Sequence, residues 1–230
     1  GYLESVNKEI SGALGNPVLN SGVVDDSAEI HDKVYEQIVA ASKGKDVKAS
    51  AKNTATVIAA SARAMADRIF NTTGVRIKPS ETPLMKRLSF GDKQKNGKAS
   101  LEQGGNVVHG TYHAGNISFT KDGDKSTGLH EYMHHYFQTV LDMANDPQYV
   151  DLFKDQVSTI TAWLKDNADA AVAQLNEQER AELEAAGGVD AFKKAMESGT
   201  LDPGNVPIYR AAHEYLARGF EKYLATGKAP

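Results

Sequence analysis

The stretch TGLHEYMHHYFQTVLDMAN at residues 127–145 carries the strongest structural signal in the sequence. Its apolar side chains recur every three or four residues, which is the spacing of one face of an α-helix. These side chains are Leu129, Met133, Tyr136, Phe137, Val140 and Met143. Asp146 and Pro147 follow directly, and proline does not continue a helix. The pattern therefore predicts an amphipathic helix over about 127–145.

The same stretch contains the pattern H-E-x-x-H, formed by His130, Glu131 and His134. Positions four apart lie on one face of a helix, so the two imidazoles can converge on one metal ion. A zinc ion held in this way lowers the pKa of its water and polarises a carbonyl, while the carboxylate serves as general base. We therefore expect His130 and His134 to bind zinc and Glu131 to drive peptide hydrolysis. His135 points about 100° around the helix from His134. We therefore expect it to lie at the surface or to contact a metal ligand without binding the metal itself.

Composition narrows the classes of partner. The 230 residues include 40% hydrophobic side chains, enough for a core, and no cysteine, which leaves His, Asp and Glu as the strong metal ligands. The net charge of −4 without a basic run argues against nucleic acid. Because no apolar stretch is long enough to span a bilayer and the start lacks a secretory signal, we expect no membrane segment or signal peptide. We expect a protein or peptide substrate; the oligomeric state stays open.

The segments on either side of the motif indicate an α+β fold. We expect an irregular arm over 1–24 and a single domain over 25–230. Its parts are a helical N-terminal part at 25–105, the sheet and motif helix at 106–146, a helical insertion at 147–206 and a last helix at 207–230.

Local patterns predict the elements of the N-terminal part. Apolar stripes predict a first helix that begins after the capping residues at 25–27 and ends near 43. They predict a second helix over about 46–71. Two stretches rich in β-formers, 106–113 and 116–120, are separated by Ala-Gly and predict a small hairpin sheet. The sequence VRIKPS at 75–80 is compatible with a short strand, and 81–105 is predicted to be loop with a short element near 88–90.

Two His ligands leave a catalytic zinc site one protein ligand short. The extended metzincin pattern needs Gly and His where this chain has Phe137 and Val140, so it is excluded. A G-T-x-D segment at 199–202 offers Asp202, but Pro203 follows where families with that arrangement have Tyr-Gly. Asp202 therefore remains the weaker of two alternatives.

The other alternative is a glutamate on the last helix. The segment HEYLARGFEKYL at 213–224 offers Glu214, with Arg218 and Glu221 on the same face. Its E-Y-L-A-R-G-F resembles the E-x-x-A-x-x-F glutamate helix of gluzincin metallopeptidases of the anthrax lethal factor type. The string EYLARGFEKYLATGKAP resembles the end of metallopeptidase domains in large polyvalent proteins of phages and mobile elements. ATVIAASARAMADRIFNTTG at 55–74 is similar to helical segments of those proteins.

This resemblance implies a helix-rich, zincin-like fold with a small twisted sheet, an HExxH helix and a C-terminal glutamate helix. It implies that Glu214 is the third zinc ligand and that Tyr209 stabilises the oxyanion. Glu221 is a candidate to support a metal-bound His through its second ring nitrogen. In gluzincins an extended substrate pairs with the edge of the sheet, and 110–113 and 116–120 are both candidates for that edge.

The function expected is that of a zinc metalloendopeptidase. Two alternatives stay open: a noncatalytic helical interaction module that keeps zinc for stability, and a zinc amidase acting on cell-wall peptide. The resemblance also implies a phage or mobile-element source. The compartment is unknown, with the bacterial cytoplasm, delivery with a virion and secretion within a larger protein all open.

Overall fold

A computed structural model describes residues 23–42, 47–91, 102–103, 106–107, 110–119, 126–199 and 201–226. The predicted arm at 1–24 therefore lies, up to residue 22, outside the described residues. The described part is helix-rich with a small mixed sheet, which confirms the predicted α+β class. The chain divides into two compact units, of which the first ends at Tyr136 and the second begins at Phe137.

Two long helices form much of the first unit. Helix α1 spans Ser27–Ala41 and α2 spans Lys48–Thr73, close to the predicted bounds. Alanines dominate the buried face of α2, so the helix can pack closely against its neighbours. The buried apolar side chains of the two helices are Ile30, Val34, Ile38, Ala51, Ala55, Ile58, Ala59, Ala60, Ala62, Met65, Ala66 and Ile69. Gly74 ends α2 with a φ of 71°, the left-handed conformation in which glycine carries no steric penalty.

The segment after α2 differs from the prediction. Residues 75–78 form no strand, Val75 is exposed, and a 3-10 turn follows at Pro79–Glu81. Within the predicted loop the chain forms helix α3, Pro83–Arg87. Thr82 accepts a hydrogen bond from the Met85 amide, and proline suits the first helical position, so T-P was the helix-start signal that the prediction overlooked.

The sheet contains the predicted hairpin. Strand β4, Gly110–His113, pairs antiparallel with β5, Asn116–Phe119, and β1, Ser89–Phe90, pairs parallel with the other side of β5. A separate ladder joins β2, Glu102–Gln103, to β3, Asn106–Val107. Because β5 is central in its sheet, β4 and β1 are the edges among the described strands. Of the two candidate edges for a substrate, 110–113 is therefore the one that the topology retains.

The hairpin turn requires Gly115. Ala114 and Gly115 have φ values of 46° and 85°, the positive values of a type I′ turn. A Cβ atom on Gly115 would lie 2.0 Å from the carbonyl oxygen of Arg87. The amide of Ser89 donates to the carbonyl of Gly115 at 2.8 Å, which joins β1 to the hairpin. The Ala-Gly pair thus fixes both the turn and the approach of the third strand.

The motif helix, α4, spans Thr127–Ala144, within one residue of the prediction. The second unit continues with further helices, as predicted for 148–199. They are α5 Val150–Asp166, α6 Ala168–Ala173, α7 Glu177–Ala185, α8 Gly188–Glu197 and α9 Val206–Thr226. Pro207 lies in the first turn of α9, and α7 buries Leu183 while exposing most of its charged side chains. No helix among the described residues has the length and apolar character needed to cross a membrane.

Candidate metal centre

The two motif histidines face each other on α4. Nε2 of His130 and Nε2 of His134 lie 3.2 Å apart, and both rings are partly buried. Two nitrogens bound to one tetrahedral zinc at 2.0–2.1 Å would be about 3.3 Å apart. Their spacing on one helix therefore allows the two nitrogens to lie at the separation that zinc requires.

Glu131 is buried, with 8% of its surface exposed, and packs beside the edge strand β4. A Cβ atom on Gly110 would lie 3.1 Å from Cγ and 3.2 Å from Oε1 of Glu131, and 2.4 Å from Cγ2 of Thr127. Glycine is therefore the residue that lets the strand lie against this carboxylate. The edge strand and the predicted general base are in direct proximity.

His135 is buried, so of its two expected placements the one at the surface is wrong. Its Nε2 lies 2.7 Å from the carbonyl oxygen of Leu84 in α3, and its Nδ1 lies 3.3 Å from the hydroxyl of Tyr112. A carbonyl only accepts, so Nε2 of His135 carries the proton that bonds to Leu84. Both ring nitrogens of His135 are engaged away from the motif pair.

Tyr112 links the edge strand to the motif. Its ring lies parallel to that of His134, with centroids 6.4 Å apart and planes 14° apart, and meets His135 edge-on at 5.7 Å. Sequence reasoning assigned no role to this residue. The alternation of side chains along a strand could have indicated it. Tyr112 lies two residues after Gly110 and therefore on the same face of β4, which is the face that lies against Glu131.

Glu214 lies on α9 in the second unit, with 20% of its side chain exposed. Arg218, one turn later, places Nη2 3.2 Å from Oε2 of Glu214. Nη1 of Arg218 donates to the carbonyl oxygen of Gln174 at 2.7 Å. The carboxylate is thus held by a guanidinium that is itself bound to the backbone.

Among the described residues, His130, His134 and Glu214 form a group that could hold a metal ion. One ligand atom from each lies within 4.8 Å of the other two. Two imidazole nitrogens and one carboxylate oxygen form a ligand set typical of catalytic zinc. The competing ligand Asp202 is exposed, and its carboxylate accepts from the Gly204 amide at 2.8 Å. Among the described residues, the candidate group includes Glu214 and does not include Asp202.

Tyr209 and Glu221 are placed less directly. The hydroxyl of Tyr209 donates to Oε1 of Gln138 on α4, and its ring packs on His213 with centroids 4.3 Å apart. Nε2 of Gln138 donates to Asp142 at 2.7 Å, which orients its oxygen towards the tyrosine. Glu221 is half-buried two turns after Glu214. The roles assigned to both residues stay predictions.

Tyr132, next to Glu131, can be set aside as an acid or base. It is fully buried, and burial raises the pKa of its phenol well above the ordinary value. Its hydroxyl therefore stays protonated across the working range of most enzymes. Glu131 is left as the titratable neighbour of His130 on this helix.

Comparison of the chain with protein-family models, with curated proteins and with solved structures finds no match.

Proposed function

We propose that this chain is a zinc-dependent metalloendopeptidase of the gluzincin type. His130, His134 and Glu214 are the metal ligands and Glu131 is the general base. The observation that carries the proposal is the convergence of ligand atoms from an H-E-x-x-H helix and a later glutamate within 4.8 Å. Neutral nitrogens and a carboxylate oxygen suit zinc better than the harder ions, which prefer oxygen alone.

The chain's own residues supply the rest of the chemistry. Bound zinc would lower the pKa of water and polarise the scissile carbonyl. Glu131 accepts the proton of the attacking water and passes it to the departing amine, so it acts first as base and then as acid. Its burial against β4 limits the positions of the carboxylate, which favours a single reactive geometry.

Strand β4 suits an extended peptide substrate. It is an edge of its sheet among the described strands, and its Gly110 lies against Glu131. A peptide that pairs with this edge gains main-chain hydrogen bonds and brings its own backbone beside the general base. Tyr209 is the candidate for stabilising the oxyanion. To do so, its hydroxyl must exchange the bond to Gln138 for one to the substrate.

The test combines metal content with turnover. We expect the purified chain to bind about one zinc per molecule, and to cleave an unfolded protein substrate in a reaction that a chelator stops and added zinc restores. Glu131→Gln keeps the shape of the side chain but removes the base, so we expect cleavage to fall by at least about 100-fold with zinc retained.

Each other outcome has a definite meaning. Zinc binding without turnover on any peptide would favour a noncatalytic module stabilised by the metal. Cleavage of peptidoglycan fragments but not of unfolded protein would favour a cell-wall amidase. Wild-type turnover by Glu131→Gln would contradict the assigned mechanism.

A further inference from the structure

Arg218 bonds to Glu214 in an arrangement that differs from an ordinary surface ion pair. A pair four residues apart on an exposed helix face contributes little by itself. Here the side chain of Arg218 is 42% exposed, yet its guanidinium has a second partner outside its helix. Nη2 lies 3.2 Å from Glu214, and Nη1 donates to the Gln174 carbonyl at 2.7 Å. The planar guanidinium therefore joins the carboxylate to a fixed backbone atom.

The backbone atom lies at the end of α6. Gln174 is the C-cap of this helix, and the last carbonyls of a helix have no partner within it. Arg180 donates to the neighbouring carbonyls of Ala173 and Leu175, at 2.9 and 3.3 Å. Arg218 donates to the carbonyl between them. Its position is thus set by a helix terminus that needs a donor.

Two further contacts fix α9 on either side of Glu214. Arg210, one turn before it, pairs with Glu182 of α7 at 2.7 Å. Tyr215, next to Glu214, stacks on Trp163 of α5 with centroids 4.9 Å apart and planes 20° apart. Together with the bond from Arg218 to Gln174, helices α5, α6 and α7 each hold α9 close to Glu214.

We infer that Arg218 is the positioning residue for Glu214, and that the helical segment 147–206 is the brace that holds it. This inference rests on the proposed function, because it takes Glu214 as a zinc ligand. Binding of Oε2 by Arg218 limits the rotamers of the carboxylate, and Oε1 would then be the atom offered to the metal. Outer-shell partners of this kind commonly change metal affinity 10–100-fold.

The charge of Arg218 acts in the opposite direction, because it repels a divalent cation. At a partly exposed position that repulsion is reduced by water and salt. We therefore expect the orientation of the Glu214 carboxylate by Arg218 to outweigh the repulsion between Arg218 and the metal ion. Loss of Arg218 should then weaken zinc binding. The opposite sign is a clear way for the inference to fail.

The experiment is a competition titration of the full chain with zinc and a chelating indicator, together with thermal unfolding in a chelator. Arg218→Ala should bind zinc at least about 10-fold more weakly than wild type. Arg218→Lys keeps the charge but cannot hold both partners, so it should lose nearly as much. Arg218→Gln can donate to Glu214 without a charge and should recover part of the loss.

Two variants serve as controls. Gln174→Ala keeps the backbone carbonyl and should bind zinc as wild type does. Arg210→Ala removes one contact of the brace without touching Glu214, so it should lower thermal stability and weaken zinc binding clearly less than loss of Arg218 does. If Arg218→Ala does not fold, the lysine and glutamine variants carry the test.

The outcomes separate the two proposals. Wild-type or tighter zinc binding by all folded Arg218 variants would overturn the role of Arg218 and leave the metallopeptidase proposal standing. Failure of the wild-type chain to bind zinc would overturn both. A loss in the Arg210 variant as large as that in the Arg218 variants would show general loosening of α9, and would also overturn the specific role.

Discussion

The histidine pair and Glu214 reach the candidate metal centre by different physical routes. His130 and His134 are four residues apart on one helix, so the geometry of the helix sets their 3.2 Å nitrogen separation. Glu214 lies 80 residues after His134, and its position depends on the packing of α9 and on Arg218. The spacing of the first part follows from a single helix, whereas the position of the second part depends on tertiary packing. Perturbations should therefore affect the two parts in different ways.

The sharpest test of the local part compares two adjacent histidines. His134→Ala removes a ligand from a partly buried position, so we expect zinc affinity to fall by more than about 100-fold with little loss of stability, a larger effect than removal of outer-shell partners. His135→Ala removes a buried ring that bonds to Leu84 and Tyr112, so unfolding should become easier by roughly 3 kcal/mol.

Zinc titration and chemical denaturation of both variants, the latter in chelator, would measure this contrast. Comparable loss of zinc in the two variants, without destabilisation of His135→Ala, would break the distinction between a ligand and a structural histidine.

Gly110→Ala should separate catalysis from metal binding. The new Cβ would press on Thr127 and on Glu131, at a cost of about 1–3 kcal/mol from overpacking. We expect turnover to fall about 10-fold or more, because the base is displaced, while zinc affinity stays near wild type.

Thr127→Ser in the same variant provides a matched control. It removes Cγ2, the atom 2.4 Å from the new Cβ, but leaves the contacts with Glu131. Stability should then recover in part, whereas kcat should stay low. Full recovery of kcat would show that the loss came from the contact with Thr127 and not from displacement of Glu131 by the new Cβ.

The sequence predicted the parts of this molecule whose cause is local. The α4 helix, the H-E-x-x-H face and the Ala-Gly hairpin follow from spacing and turn chemistry within a few residues. The burial of His135 was not predictable in this way, because its partner Leu84 is 51 residues away. Helix α3 was missed although Thr82 and Pro83 signalled it, because the polar residues after it dominated the interpretation.

The candidate ligands divide along the same line. The histidines were identified from their spacing, but Glu214 was preferred to Asp202 through a resemblance and through the missing Tyr-Gly continuation after Asp202, since no local rule relates residues so far apart. The edge strand also required the topology, because the patterns of β4 and β5 are equally strand-like and only pairing with β1 makes β5 central.

Tyr112 should show the smallest effects. Tyr112→Phe keeps the ring beside His134 but removes the hydroxyl that bonds to His135, so we expect a loss of about 1 kcal/mol in stability and unchanged zinc affinity. Tyr112→Ala also removes the ring, and zinc affinity should fall by a few-fold. Denaturant melts and indicator titrations would measure both effects, and a larger zinc loss in the phenylalanine variant would contradict the assignment.

Zinc titration of Glu214→Ala beside Asp202→Ala tests the central claim most directly. Glu214→Ala leaves two His ligands, so we expect zinc affinity to fall by more than about 100-fold, beyond the range seen for outer-shell partners. Asp202 is exposed and accepts from the Gly204 amide, so its loss should leave zinc affinity near wild type. Loss of zinc by Asp202→Ala with retention by Glu214→Ala would contradict the gluzincin assignment and the ligand set proposed for this chain.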